Sequence, residues 1–207
     1  MISTKEDDVS NHDNKIQSSL VEQATDTLLE SPYGIHALVI YSDMIKLREF
    51  WTFYANRSIE EKNELLFMAP FYQTVDFVRE TLSEGRKSID VKRCEEEEKS
   101  LIIRDSLENY HGKIGDAFDV KSILKANQGL IEDANALNKK GLSFLGDMGA
   151  FLFKNQMQSL FDYESSLPIE FDANLKGICL YHQKDFDRLS VNQKEEIIKC
   201  HKLAIKI

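Results

Sequence analysis

The stretch Gly34-Ile35-His36-Ala37-Leu38-Val39-Ile40-Tyr41-Ser42-Asp43 decides the fold. It is a short apolar run entered through Pro32 and Gly34 and closed by a serine and an aspartate. Apolar and polar residues do not alternate along it. A strand apolar on both sides is buried on both faces, as in the interior of a parallel sheet. A helical pattern follows at once, with Met44, Leu47, Phe50, Trp51 and Tyr54 on one stripe and Ser42 or Asp43 as its cap. That succession is the start of a βαβ unit. His36 is the one strongly polar side chain inside the run.

Working outward, the same alternation repeats. Leu65–Ala69 before Pro70, Leu101–Ile103, Leu142–Asp147, Gly177–His182 and Leu203–Ile207 read as further strands, the last an edge strand because Lys206 interrupts it. Between them lie helical stripes. Phe71, Val75, Val78 and Leu82 form one, ended by Gly85. A second runs from an Asp119 cap through Leu137. A third carries Phe153, Met157, Leu160, Phe161 and Leu167 up to Pro168. The last opens with the capping-box pair Ser190 and Gln193. Glu95–Lys99 reads as a solvated connection and Asn109–Gly115 as a glycine-containing loop. Met1–Lys15 is polar and reads as disordered, followed by a weak stripe of Ile16, Leu20, Ala24 and Leu28 that could pack on the domain or on a second copy. The reading is therefore an α/β, three-layer, mostly parallel sheet with helices on both faces, spanning residues 32–207 behind a disordered or amphipathic helical extension, residues 1–31.

Composition narrows the function. A formal net charge of -9 over 207 residues argues against direct nucleic-acid binding, which needs a basic face. Three cysteines, Cys94, Cys179 and Cys200, have no C-x-x-C spacing, so neither a disulfide framework nor a zinc knuckle is expected. No apolar stretch is long enough to span a bilayer and the amino terminus is not signal-like, so the expected location is cytoplasmic.

Motifs for common chemistries are missing. No glycine stands between the first strand and Gly85, which excludes G-x-x-x-x-G-K-[ST] from its usual place; G-x-G-x-x-G and G-x-S-x-G are absent as well. Parallel sheets bind ligands beyond the carboxyl ends of their strands. Tyr41, Ser42, Asp43, Asp105, Asp147, Gly149, Tyr181 and His182 fall there. Glu164 sits on the apolar stripe of its helix, where a carboxylate is paired, protonated, facing a cavity, or at the stripe's edge. His36 is either a partner for a ligand or a core histidine satisfied by a backbone carbonyl. Cys179 reads as a small buried side chain. Cys200-His201 reads as structural, with too few further ligands in sight for a metal. The aromatic set Trp51, Tyr54, Phe153 and Phe161 reads as core.

Several of these residues, taken in order, resemble a known family. Pro32-Tyr33-Gly34-Ile35-His36 followed by Tyr41 resembles the opening strand of the MEDS domain, the methanogen/methylotroph sensory domain recognised in a dichloromethane-responsive regulator. Gly146-Asp147-Met148, Tyr163-Glu164, Cys179-Leu180-Tyr181 and His201 with the closing strand are similar to its later motifs. The succession runs from about Tyr33 to the carboxyl terminus. Leu167–Lys176 is longer than that family's usual link, and Ile35 replaces a residue commonly small and polar. The resemblance implies a RecA/KaiC-like sheet without a phosphate-binding loop, bacterial or archaeal in origin, that senses small molecules, hydrocarbon derivatives among them. It carries His36, Tyr41, Asp147, Glu164, Cys179, Tyr181 and His201 over as ligand-binding positions, with no catalytic residue, metal or cofactor. The expected function is a stand-alone, non-enzymatic sensory domain passing its signal to a separate histidine kinase or transcription regulator, and a homodimer is one expected assembly. An interaction module with a vestigial pocket and an enzyme using His36 with a carboxylate are the alternatives.

Overall fold

The computed structural model describes residues 10–85, 87–111 and 118–207, with side chains from Leu20 onward. Disorder over residues 1–9, the side chain of Ile16 and the glycines of the 112–115 loop lie outside the described residues. In chain order the elements are α1 (Ser10–Glu30), β1 (His36–Tyr41), α2 (Met44–Asn56), β2 (Leu65–Ala69), α3 (Val75–Ser83), β3 (Leu101–Ile103), α4 (Ser106–His111), α5 (Val120–Ala136), β4 (Leu142–Asp147), α6 (Gly149–Phe153), α7 (Met157–Ser166), β5 (Leu175–His182), α8 (Gln183–Asp187), α9 (Val191–Lys199) and β6 (Leu203–Lys206).

The six strands form one all-parallel sheet in the order β3-β2-β4-β5-β1-β6. The run that opened the sequence reading is paired on both sides, by β5 and β6. Lys206 lies on the edge strand, as its interruption of the pattern predicts. Successive side chains of a strand point to opposite faces. Ala37, Val39 and Tyr41 of β1 join Ile178 and Leu180 of β5 in the core beneath α1 and α2. Leu38 joins Cys179 and Tyr181 on the other face, with Leu160 and Tyr163 of α7 and Ile197 of α9. His36, two residues before Leu38, points the same way.

Local chemistry accounts for most boundaries. Asp43 caps α2 by accepting the amides of Ile45 and Lys46. Thr74 caps α3, Asp119 caps α5, and Ser190 with Gln193 closes a complete capping box on α9. Asp43 also answers the question posed by the missing phosphate loop: its carboxylate occupies the helix N-terminus where an anion would sit.

Several local expectations change: the stretch read as disordered through Lys15 is helical from Ser10, and Asn109–His111, read as loop, close α4. The first helix buries Val21, Ala24, Thr25, Leu28 and Leu29 against α2, while Leu20 is 45% exposed. The stripe is turned by one residue because Thr25 satisfies its hydroxyl on the Val21 carbonyl and can be buried. Phe71 precedes α3, which starts after the Thr74 cap. The acidic connection is a π-helical turn, Arg93–Glu97, that buries Cys94 and ties Glu95 to Arg79 and Arg93 to Glu60 and Glu98. The expected long stripe from Phe153 to Leu167 is two helices, broken at Asn155 (φ 53°), and this break leaves Phe153 66% exposed.

Candidate functional site

Against the sheet, under α7 and the end of α9, four side chains meet that are far apart in sequence: His36, Glu164, Cys179 and His201, all buried. Each arrives for a local reason. His36 opens β1 and Cys179 sits mid-way along β5 on the same face. Glu164 follows Leu160 and Tyr163 on the inward side of α7. His201 lies in the tight passage from α9 to β6, where the Lys202 amide bonds the His36 carbonyl at 2.8 Å.

The two imidazoles are held alike. His36 Nδ1 lies 3.0 Å from the Cys200 carbonyl and His201 Nδ1 lies 2.7 Å from the Ile197 carbonyl. A carbonyl only accepts, so a proton on each Nδ1 satisfies these bonds and leaves an Nε2 lone pair on the cluster side; the Pro168 backbone is a further hydrogen-bond partner of His36. His36 therefore meets both of its sequence readings, satisfied by a backbone carbonyl and turned toward a polar centre. Its Nε2 is 3.4 Å from Cys179 Sγ and 3.8 Å from Glu164 Oε2. His201 Nε2 is 3.4 Å from the same carboxylate oxygen, yet makes no hydrogen bond among the described residues. Cys179 Sγ lies 3.7 Å from Glu164 Oε2, and Tyr181 donates its hydroxyl to Glu164 Oε1 at 2.5 Å. Burial sets the charge state. It pushes His36 down to about 3, helped by His201, and pushes the Glu164 carboxyl up against the opposing pull of His201 and Tyr181. Burial and the neighbouring Glu164 raise the Cys179 thiol and the Tyr181 hydroxyl well above their ordinary values. The His36–Glu164 contact is thus a meeting of groups both driven toward neutrality.

A cavity of about 20 Å³ adjoins the cluster, lined by His36 and Cys179 and by Tyr163, Phe144, Leu167 and Phe171 among others. That is room for about one water. Outside it, at the amino ends of the strands, a groove of about 370 Å³ runs between Thr27, Pro32–Ile35, Glu170, Phe171 and Lys202. Phe171 belongs to both. Its ring lies 5.4 Å from that of His36, and its backbone is laced to Gly34, with the Phe171 amide 2.7 Å from the Gly34 carbonyl. Gly34 adopts φ +93°, and a Cβ there would stand 2.7 Å from the Phe171 carbonyl oxygen. Gly177 is bare for a related reason: a Cβ would strike the Phe171 ring at 2.8 Å.

Of the seven sequence-flagged positions, His36, Glu164, Cys179, Tyr181 and His201 come together. Tyr41 and Asp147 do not. They pair with each other at 2.9 Å on the opposite face, near the carboxyl ends of the strands. There Asp147 also accepts the Gly149 amide at 2.9 Å, and burial raises its carboxyl to about 7. His182 leaves the cluster too, capping α8 through its ring. The cluster itself lies beneath α7 on the sheet face, with His36 at the amino end of β1 rather than beyond the strands' carboxyl ends. The side chains that meet His201 come from β1, α7 and β5.

Sequence reading missed a second buried network. Glu64 is paired with Lys176 at 3.0 Å and accepts from Ser143 at 2.6 Å and Tyr33 at 3.0 Å, while Lys176 donates to the Leu29 carbonyl at 2.7 Å. Tyr54 bonds Ser143 at 2.8 Å. A lysine inside the apolar Leu175–Leu180 strand was its one sequence signal.

Together, fold and site define an α/β domain of one parallel sheet with a buried polar centre beneath α7. The chain matches the family model MEDS, the methanogen/methylotroph, DcmR sensory domain, over residues 35–202. It belongs to that family, and a sensory role follows from that membership. Among curated proteins no sequence matches the chain.

Proposed function

We propose that the protein is a non-catalytic small-molecule sensor whose ligand enters by the amino-end groove and reaches His36 and Cys179 past Phe171. The observation that carries this reading is the placement of Phe171, which lines both the groove and the inner cavity, its ring tilted against that of His36. The groove has the size of a small-ligand pocket, within about 300–1,000 Å³, whereas the inner space takes only a fragment of a few atoms. A compact, weakly polar molecule of one to three carbons suits the groove, and it would enter the one-water inner space, with its wall of phenylalanine and leucine and its polar floor, only as Phe171 gives way. Glu164 and Tyr181 would set the polarity of that floor.

Movement of Phe171 would carry the signal outward. Its segment is bridged to Ile35 at Glu170, and Glu170 is paired with Lys202 just before the edge strand β6. Displacing the ring therefore strains both the entry to β1 and the edge of the sheet, where a separate kinase, a transcription regulator or a second copy of the chain could read the change.

The test uses methanol, dichloromethane and 2-propanol as probes, with binding followed by the histidine ring resonances and by thermal shift. Phe171→Ala should bind the probes with altered affinity and faster exchange while remaining folded. Identical binding by wild type and F171A would refute entry past this ring.

A further inference from the structure

We infer that His36 Nε2, His201 Nε2, Cys179 Sγ and Glu164 Oε2 form a site for one divalent transition-metal cation of the zinc class. The inference deepens the sensor reading by naming what the centre holds, and it depends on that reading only for its consequence in signalling.

Geometry is the first ground. Metal–ligand bonds of about 2.0–2.3 Å around a tetrahedral ion put neighbouring ligand atoms roughly 3.3–3.8 Å apart. Four of the six separations in the cluster are 3.4, 3.8, 3.4 and 3.7 Å. All four atoms lie within 4.8 Å of one another. The second ground is orientation. Zinc-bound histidines characteristically donate their other ring N–H to a carbonyl or carboxylate, which fixes the tautomer. Both imidazoles here do so, to Cys200 and Ile197, and Tyr181 fixes the spare oxygen of Glu164 in the same manner. The third is an orphan: His201 Nε2 is buried, faces Glu164 Oε2 at 3.4 Å and makes no hydrogen bond among the described residues. A buried acceptor left unmade is costly, and a cation is the partner that both imidazole lone pairs would share.

Charge agrees. Two neutral imidazoles, one thiolate and one carboxylate balance a divalent ion, leaving a neutral site suited to burial. The mixed nitrogen, sulfur and oxygen donors favour zinc-class ions over magnesium or calcium, which prefer oxygen alone. Four protein ligands make a closed site, unlike the three plus water of a catalytic centre. The small cavity beside His36 and Cys179 adjoins it, and through that space a small molecule would compete with a protein ligand.

The experiment takes the full chain without a polyhistidine tag, measures its metal content, strips it with a chelator and titrates it with cobalt(II) and then zinc. The expected result is one metal per chain, a raised melting temperature with zinc, and intense visible cobalt bands with a thiolate charge-transfer band in the near ultraviolet. Cys179→Ser should abolish the charge-transfer band. Tyr181→Phe keeps every ligand and should weaken zinc by about 10–100-fold, the usual cost of losing a supporting hydrogen bond. Cobalt spectra of the wild type stay informative even if a variant fails to fold. The site is refuted by cobalt spectra typical of octahedral aqueous ion, or by zinc binding that is equal in wild type and Cys179→Ser/His201→Ala. A bound metal with no response to any small-molecule probe would overturn the sensor reading alone; probe binding without metal would overturn this site alone.

Discussion

Glu164 can be tested apart from the stability of the fold because its two oxygens have different partners. Oε1 accepts from Tyr181 and Oε2 faces the histidines and Cys179. Glu164→Gln keeps an acceptor for Tyr181, so stability should change by no more than about 1 kcal/mol, the net worth of one hydrogen bond, while probe binding falls. Glu164→Ala strands the tyrosine hydroxyl and should cost about 1–3 kcal/mol in denaturant unfolding. Equal binding by wild type and E164Q would remove Glu164 from the site. Asp147 makes a prediction in pH. Its folded carboxyl is raised to about 7, whereas an unfolded aspartate titrates near 3.9, so the folded state holds a proton that the unfolded state gives up. Its contribution is complete below about pH 4, is lost as pH rises toward 7, and is flat above. Melting temperatures of Asp147→Asn should therefore fall less between pH 4 and 7 than those of wild type; parallel curves would contradict the shift. Glu164 and His36 were visible in the sequence because each is polar on an apolar stripe. His201 was marked only by the family resemblance, because its place beside them depends on the turn from α9 setting its ring over β1.

At the scale of elements, the Glu64–Lys176 network fastens four separate pieces: the end of α1 through the Leu29 carbonyl, α2 through Tyr54, β4 through Ser143, and β5 through Lys176 itself. Removing one member of a buried pair leaves the other charge uncompensated, which costs about 3–5 kcal/mol, whereas replacing both by apolar groups is often near neutral. Glu64→Ala should thus destabilise severely, and Glu64→Leu with Lys176→Met should recover most of the loss in urea denaturation. A double variant as unstable as the single one would show that the network acts through its hydrogen bonds to Tyr33 and Ser143 instead. Loss of the Ser190 cap, in Ser190→Ala, should cost about 1 kcal/mol. Strands and caps were legible because each rests on local chemistry: Asp43, Asp119 and Ser190 all cap where they were expected. The break at Asn155 was not, because a positive φ at asparagine has no periodic signature, and α1 turned because a buried threonine looks polar in sequence.

For the whole molecule, the sheet divides two functions. One face carries the cores that hold α1 and α2 and the Tyr41–Asp147 pair; the other holds the cluster under α7 and α9. Alternating apolar segments announced the three layers. The topology could not be read from them, because β1 pairs with β5 and β6 from the far end of the chain. The account's central claim is that the cluster beneath α7 is where a small molecule is sensed. Its most direct test is a titration of the histidine ring resonances with methanol, dichloromethane and 2-propanol. At least one probe should shift His36 and His201 together and saturably, leaving His182 at the opposite end of the strands unmoved. No saturable shift with any probe, or shifts shared equally by His182, would contradict it.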